Sequence, residues 1–410
     1  MHMNVFIRSS LLALAVSAAA AMTQGLSAAT FGEDAAFLKS HTDLVVLSDE
    51  HGAAKVAIAP AWQGRVMTST AGNDSGRSFG WINRELIASG KLLPHMNAFG
   101  GEDRLWLGPE GGQFSIYFGK GTKFELANWQ VPAPFDTLPF KTVSQSKNSA
   151  SFALEFALTN YSGTRFAVAV NREVRLLDTA AAWGKLGLPP ADGVSLVAFE
   201  SDSRISNTGQ NAWQKDTGLL SIWILGMFTP SPSATIVVPI KPGSVEKLGV
   251  KVTSDYFGAI PPDRLVARKN ILFLRGDGKF RSKIGINPRR SKGVLGAYDA
   301  DNQVLTIVQF DQPAGVTDYV NSLWKLQDNP YGGDVANSYN DGPPSPGAKP
   351  MGPFFEMESS SPAAGLAPGA SLGHVHRTIH LTGTESALDP VARTVLGVSL
   401  AGIKSAFPAE

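Results

Sequence analysis

Short apolar or alternating stretches, separated by turn residues, recur along most of the chain. They include residues 55–58, 114–118, 151–156, 166–170, 219–224 and 305–308. Runs of about five residues at a spacing of about ten are typical of antiparallel strands. No fixed internal period accompanies them, which argues against a propeller or a solenoid. The pattern therefore predicts an all-β fold built from large antiparallel sheets.

Helical patterns are scarce in the same stretch of chain. We predict one short helix at residues 33–40 and another at residues 316–325. A long loop, 329–353, follows the second helix, and long ordered loops of this kind often carry function. No linker is visible after residue 30, so the sequence predicts a single domain over residues 30–410.

The N-terminus has the pattern of a secretory signal peptide. Arg8 precedes an apolar run at residues 11–22, and small residues at 27–29 are suited to cleavage. The apolar run is too short to span a bilayer as a helix. We therefore expect residues 1–29 to be a signal peptide and the mature protein to be soluble, without a stable membrane anchor, and periplasmic.

Charge and composition exclude several classes of function. The chain has 36 Lys and Arg against 35 Asp and Glu, and this balance argues against a nucleic-acid partner. It has no cysteine, which excludes disulfides, thiolate metal sites and a cysteine nucleophile. It also lacks nucleotide and flavin fingerprints, so we expect no cofactor.

The first segment with candidate chemistry is residues 94–113, where charged and aromatic side chains stand among glycines. His95 and Glu110 are candidate polar contacts, Arg104 offers a planar donor fork, and Trp106 offers a face for a sugar ring. The alternative is a tight hairpin whose charges, including Arg104, lie at the surface.

The second candidate segment lies inside the long loop. It concentrates amide, phenol and carboxylate groups at Asp334, Asn337, Tyr339, Asn340 and Asp341. Such a set suits the recognition of hydroxyl groups or of a hard cation held by oxygen atoms. The alternative is a turn stabilised by local Asn and Asp hydrogen bonds.

The third candidate segment is a pair of predicted strands near the C-terminus. Alternation places Glu356 and Glu358 on one face of the first strand, and His374 and His376 on one face of the second. Two neighbouring carboxylates raise one pKa, which suits acid–base chemistry. The alternatives are a solvated polar face and a histidine metal site, but we predict no tightly bound metal.

Three motifs resemble those of the galactose-mutarotase-like superfamily. They are the run at residues 63–69, the run at residues 100–110 and the late Glu-Met-Glu at 356–358. The chain is also similar, over about residues 40–400, to a family of secreted bacterial proteins with that fold. The resemblance implies a β-supersandwich, a large pair of antiparallel sheets whose concave face binds a mono- or oligosaccharide.

The resemblance also implies roles for individual residues. In aldose epimerases of the superfamily a glutamate is the base and a histidine in the middle of the chain is the acid. The glutamate falls on Glu358 or Glu356, and an arginine after the early glycine falls on Arg65. Residues 96–373 contain no histidine, so either His95, His374 or His376 is the acid, or the protein is not a mutarotase.

Three functions follow from this reading. The first is a sugar isomerase or another enzyme that acts at the anomeric centre through Glu358 and a histidine. The second is a non-catalytic carbohydrate-binding protein of the periplasm. The third is a polysaccharide lyase or hydrolase on the same sandwich, with Arg104 and Arg65 neutralising a uronate and Tyr339 or His95 abstracting the proton.

Overall fold

The structure is a computed structural model that describes residues 29–408. Within these residues the strands form three sheets, and every pairing between named strands is antiparallel. The predicted all-β sandwich with few short helices is confirmed. The predicted signal peptide lies outside the described residues, apart from Ala29.

The small first sheet and the ten-stranded sheet contain most of the strands. The small sheet has the order β1-β2-β3, with β1 Val45–Ser48, β2 Lys55–Ala59 and β3 Arg65–Thr70. The large sheet has the order β11-β12-β10-β14-β15-β18-β8-β7-β6-β5. Its strands are β5 Lys141–Gln145, β6 Ser149–Thr159, β7 Arg165–Leu176, β8 Ser195–Asn207, β10 Thr235–Pro239, β11 Leu265–Arg268, β12 Ile271–Arg275, β14 Val294–Asp299, β15 Val304–Phe310 and β18 Ser371–Thr382.

The five-stranded sheet positions the candidate site. Its order is β13-β16-β17-β9-β4, so strands from distant parts of the chain are neighbours. The strands are β4 Arg104–Gly108, β9 Ser221–Phe228, β13 Ser282–Ile286, β16 Ala336–Asn340 and β17 Phe355–Ser360.

The helices of the described chain are short. They are α1 Phe31–Lys39, α2 Arg84–Ser89, α3 Ala133–Asp136, α4 Thr179–Leu186, α5 Val245–Leu248, α6 Glu385–Val391 and α7 Leu400–Lys404, with a π-helical turn at Ala392–Leu396. The predicted helix at 33–40 is confirmed as α1, which begins earlier because Thr30 and Glu33 form a capping box. In residues 29–408 no helix is long and apolar enough to cross a membrane.

The core lies between the five-stranded and ten-stranded sheets. Leu105 and Ile224 of the five-stranded sheet pack in one apolar cluster with Phe152 and Phe199 of the ten-stranded sheet. On the other face of the ten-stranded sheet, the C-terminal helices and α4 cover a second cluster. The five-stranded sheet therefore buries one face against the larger sheet and leaves its other face for the site.

Three sequence predictions differ from the structure at the level of secondary structure. Residues 316–325 are not helical, because their backbone pairs with the segment that follows. The N–H of Tyr319 donates to the carbonyl oxygen of Tyr331, and the N–H of Asn321 donates to the carbonyl oxygen of Pro330. Residues 114–118 form no strand and make only a single bridge, from Phe118 to Trp129. The long loop predicted at 329–353 contains a strand, β16.

Candidate functional site

A cavity of about 410 Å³ lies on the free face of the five-stranded sheet. Its volume falls in the range of about 300–1,000 Å³ that is usual for small-molecule sites. Because strand side chains alternate, the residues of each strand that line the cavity are separated by an even number of positions. The floor is formed by Arg104, Trp106, Ser221, Trp223, Leu225, Met227, Lys283, Asn337, Tyr339, Glu356 and Ser360.

Four of the eight tryptophans form an aromatic wall. Trp106 and Trp223 rise from the sheet, edge to face, with their ring centroids 5.5 Å apart. Trp129 and Trp324 come from loops and stack with centroids 5.9 Å apart. Trp106 and Trp129 join the two pairs at 6.4 Å. Packing of this kind fixes the rings before any ligand arrives.

Glu356 is a buried carboxyl on the floor. Arg104 Nη2 lies 2.7 Å from Glu356 Oε1, and the Arg104 guanidinium stands 4.4 Å from the Trp106 ring. Removal from water raises the pKa of Glu356 to about 7, because the attraction of Arg104 does not outweigh burial and the repulsion of Glu358. Glu356 therefore exchanges a proton near neutral pH.

Glu358 lies one layer deeper, with a fully buried side chain. Its Oε2 accepts from Trp223 Nε1 at 2.8 Å and from Lys283 Nζ at 3.0 Å. Burial alone would lower the pKa of the Lys283 amine, but Glu358, Glu110 and Glu356 raise it, so the amine stays charged. Glu358 thus orients one tryptophan of the wall and holds the cation of the floor.

Two further acids line the cavity. Burial raises the pKa of Asp334 to about 6, even though the Tyr256 hydroxyl donates to Oδ2 at 2.6 Å. Burial also raises the pKa of Glu110, which Glu358 raises further and Lys283 lowers. The cavity therefore holds several carboxyl groups whose proton affinity is above its ordinary value.

Two glycines leave room for the cavity acids and the loops that carry them. A Cβ at Gly285 would stand 2.0 Å from Asp334 Oδ2, so only glycine leaves room for that carboxylate. A Cβ at Gly111 would stand 2.4 Å from the carbonyl oxygen of Leu323, which brings the Glu110 loop against the Trp324 loop. The glycine-rich run at 100–113 is thus explained by close backbone contact.

The structure brings together seven of the candidate residues from all three segments. Those that line the cavity are Arg104, Trp106, Glu110, Asp334, Asn337, Tyr339 and Glu356. Glu358 does not line it and reaches it only through Trp223 and Lys283. The proposed surface hairpin at Arg104 is wrong, because that residue is 3% exposed and lies in a central ion pair.

The two late histidines lie elsewhere, so the expected convergence of His374 and His376 with Glu358 is wrong. Ser359 Oγ lies 2.8 Å from His374 Nε2 and 2.8 Å from His376 Nδ1. Ser359 points to the opposite face of β17 from both glutamates, into the space between the sheets. Burial lowers the pKa of His374 to about 3 and that of His376 to about 4, which keeps both imidazoles neutral.

Four other predicted residues do not line the cavity. His95 Nδ1 lies 2.7 Å from the carbonyl oxygen of Trp129, just behind the wall. Arg65 is buried and donates to the backbone of Gly100. Asn340 is on the core face of β16, where it donates to Phe280, and Asp341 accepts from the hydroxyl of Tyr339.

Sequence reasoning did not select Lys283, Trp129, Trp223 or Trp324 as site residues. A signal was present for Lys283, the one charged residue in the short strand Ser282–Ile286. Trp129 and Trp324 carried a weaker signal, as bulky aromatics in loops rich in turn residues. Their meeting depends on loop packing that no local pattern encodes.

No group of three or more metal-ligating His, Cys, Asp or Glu side chains occurs among residues 29–408. The two cations of the floor, Arg104 and Lys283, lie in ion-pair contact with Glu356 and Glu358. Whether the protein holds a metal stays a prediction, and the arrangement itself is suited to hydrogen bonding and proton transfer.

Similar solved structures include the Slr1438 protein from Synechocystis sp. PCC 6803, with 13% identity and a TM-score of 0.47 over 84% of this chain and 96% of that one. A galactose mutarotase-like protein from Lactobacillus casei is 11% identical, with a TM-score of 0.47 over 83% and 100%. A galactose mutarotase related enzyme from Lactobacillus acidophilus is 11% identical, with a TM-score of 0.44 over 83% and 97%.

Among curated proteins no sequence matches the chain. One protein family matches nearly all of it, from residue 29 to residue 407, and that match takes in every strand and helix described above. By this match the chain is a member of the family of unknown function DUF6786.

Proposed function

We propose that the protein binds a carbohydrate in the cavity and acts on its anomeric centre by proton transfer through Glu356. The observation that carries the proposal is a carboxyl group with a pKa of about 7 on the floor of a cavity walled by tryptophans. A proton-transfer group is most effective when its pKa is close to the working pH.

The wall suits a sugar ring. A pyranose has patches of C–H groups on its faces and hydroxyl groups around its edge. The four tryptophans of the wall all line the cavity and offer such a patch apolar contact. Pockets that bind small molecules combine such apolar walls with a few placed polar groups.

The floor suits the hydroxyl edge. Each hydroxyl donates one hydrogen bond and accepts others, so it needs both kinds of partner. Donors are supplied by Lys283 and Asn337, and acceptors by Glu110 and Asp334, all of which line the cavity. These groups are fixed by their mutual contacts, which lowers the cost of ordering them around a ligand.

The chemistry differs from that of the glutamate and histidine pair of aldose epimerases. No histidine is among the described residues that line the cavity. We infer that Glu356 moves a proton to or from the oxygen on the anomeric carbon, with Glu110 as the second acid or base. In anomer exchange one of the two carboxyl groups takes the proton of the anomeric hydroxyl while the other protonates the ring oxygen, and the ring opens and recloses. In glycoside hydrolysis one protonates the leaving oxygen while the other takes a proton from the water that attacks the anomeric carbon.

A second candidate is a carbohydrate-binding protein without catalysis. It is favoured by the buried ion pairs of both glutamates, because Arg104 holds Glu356 and Lys283 holds Glu358 in contacts within the protein. In either case the predicted signal peptide supports a role outside the cytoplasm, in the periplasm.

The test is a saturation-transfer NMR screen of the mature protein against free aldoses, methyl glycosides and short oligosaccharides. Anomer exchange and glycoside cleavage are then measured for each sugar that binds. We expect binding together with one of the two activities. Binding with neither activity would decide for the binding protein, and no binding by any sugar would reject both candidates.

A further inference from the structure

Three bulky apolar side chains stand exposed at the mouth of the cavity. They are Leu126 (61% exposed), Phe257 (45%) and Met351 (44%), and all three also line the cavity. We call them the apolar rim. They come from three separate connections. Leu126 begins a short 3₁₀ turn before Trp129, Phe257 lies in the loop after α5 and Met351 lies in the loop before β17.

Single exposed apolar residues are common and need no explanation. The convergence of three on one opening is different, because contiguous exposed apolar surface marks interaction sites. Leu126 and Met351 also offer no hydrogen bond to a hydroxyl group. A second sugar unit seated there would lose water contacts without replacement, at a net cost.

The cavity is thus polar at its floor and apolar at its mouth. The floor holds the ion pairs of Arg104 and Lys283, whereas the rim carries no charge of its own. The guanidinium of Arg281 lies 3.8 Å from the ring of Phe257 and packs against that rim side chain. A ligand that fills the cavity must therefore be polar at one end and apolar at the other.

We propose that the ligand is a glycoside with an apolar aglycone, whose sugar lies on the floor and whose aglycone lies between the rim side chains. This inference rests on the proposed function, because it requires the cavity to bind a sugar. It narrows the substrate class from free sugars to glycosides of alkyl or aryl alcohols.

The test compares methyl, hexyl and octyl glycosides of glucose, galactose, mannose and xylose by isothermal titration calorimetry. All probes are kept below their critical micelle concentrations, and 1-octanol is titrated as the sugarless control. Each methylene buried in the rim should tighten binding by about fourfold, until the chain leaves the mouth. Octanol should bind far more weakly than the octyl glycosides.

Rim variants separate the mouth from the floor. Leu126→Ser should weaken binding of the octyl glycosides about tenfold or more and leave the methyl glycosides unchanged. Val143→Ser is a matched control, because Val143 is also 61% exposed and does not line the cavity. Val143→Ser should leave the binding of both the octyl and the methyl glycosides unchanged. Met351→Ser repeats the test at a second rim position.

Each outcome decides something. The proposal of an apolar aglycone would be overturned if methyl and octyl glycosides bound equally, or if Leu126→Ser bound both as tightly as the wild type. Either result would leave the proposed function intact. Octanol that binds as tightly as the octyl glycosides would overturn both, since the cavity would then select only apolar chains. Failure of every sugar in the wider screen would reject the proposed function itself.

Discussion

At the scale of single residues, two glutamates two positions apart on β17 have different surroundings. Glu356 lines the cavity and its pKa is raised to about 7. Glu358 is fully buried below the floor, where Lys283 and Trp223 occupy one of its oxygens. The first can exchange a proton with a ligand, and the second holds the floor and the wall in place.

We predict that Glu356→Gln lowers the rate of the activity found in the screen by about 10²–10⁴-fold, the usual range for a general acid or base. Glutamine keeps the shape and can still accept from Arg104, so sugar binding should survive. The wild-type rate should change between about pH 6 and 8 as Glu356 titrates, and the variant should lose that inflection.

The control for this experiment is Glu385→Gln, which removes an exposed carboxylate paired with Lys404, away from the cavity. Its rate and pH profile should match the wild type. A Glu356→Gln variant with the wild-type rate would mean that Glu110 or another site carries the chemistry.

Lys283→Met should destabilise the protein by about 3–5 kcal/mol, the usual cost of removing one partner of a buried ion pair. The variant leaves the carboxyl group of Glu358 fully buried without its cation, with only the indole of Trp223 as a donor. Lys55→Met is the matched control, because Lys55 pairs with an exposed aspartate and should cost about 0–1 kcal/mol. Urea unfolding followed by circular dichroism measures both, and equal losses would contradict this account of the floor.

At the scale of elements, β17 and β18 form a polar layer inside the sandwich. Ser359 of β17 bridges the neutral imidazoles of His374 and His376 on β18. The layer lies on the core side of the five-stranded sheet, so these histidines tie the two sheets together and do not reach the cavity.

The layer predicts acid sensitivity. Folded His376 stays neutral down to about pH 4, whereas in the unfolded chain it takes up a proton near its ordinary pKa of about 6.5. Unfolding therefore takes up protons, and the free energy of unfolding should fall as pH decreases from about 6.5 to 4. His376→Asn should make this fall shallower, as measured by urea unfolding across that range.

His51→Asn is the control, because His51 is exposed. It should leave the pH dependence of stability unchanged. If the free energy of unfolding had the same dependence on pH in His376→Asn and in the wild type, the description of His376 as a neutral buried imidazole would be wrong.

Strand periodicity could be predicted from the sequence, but the direction of each face could not. Alternation correctly placed Glu356 with Glu358 and His374 with His376. It contains no information on which face meets the cavity and which meets the core. That choice follows from the pairing of β17 with β9 and β16, which are distant in sequence.

The wrongly predicted helix shows a second limit of predicting structure from local sequence. Residues 316–325 have apolar side chains at a helical spacing, including Val316, Val320 and Trp324. In the fold Val320 and Trp324 line the cavity instead, and the backbone bonds to residues 330 and 331. Tertiary contact outweighed local pattern here, as it often does for short segments.

At the scale of the whole molecule, the sandwich explains why the site is assembled from distant segments. The ten-stranded sheet buries one face of the five-stranded sheet, and the other face becomes a floor that loops surround. The architecture was predictable because antiparallel strands repeat along the chain. The wall was not, because Trp129 and Trp324 are nearly 200 residues apart and meet only through loop packing.

The central claim is that this cavity is the carbohydrate site, and calorimetry with wall variants tests it most directly. The measurement is titration of the tightest-binding sugar of the screen into wild type, Trp324→Ala and Trp62→Ala. Both tryptophans are partly buried, but only Trp324 lines the cavity. We predict that Trp324→Ala weakens binding about tenfold or more, as expected for an aromatic anchor, and that Trp62→Ala leaves the affinity within about twofold of wild type. Equal affinity of all three proteins for the sugar would contradict the account, because the bound sugar would then lie away from the tryptophan wall.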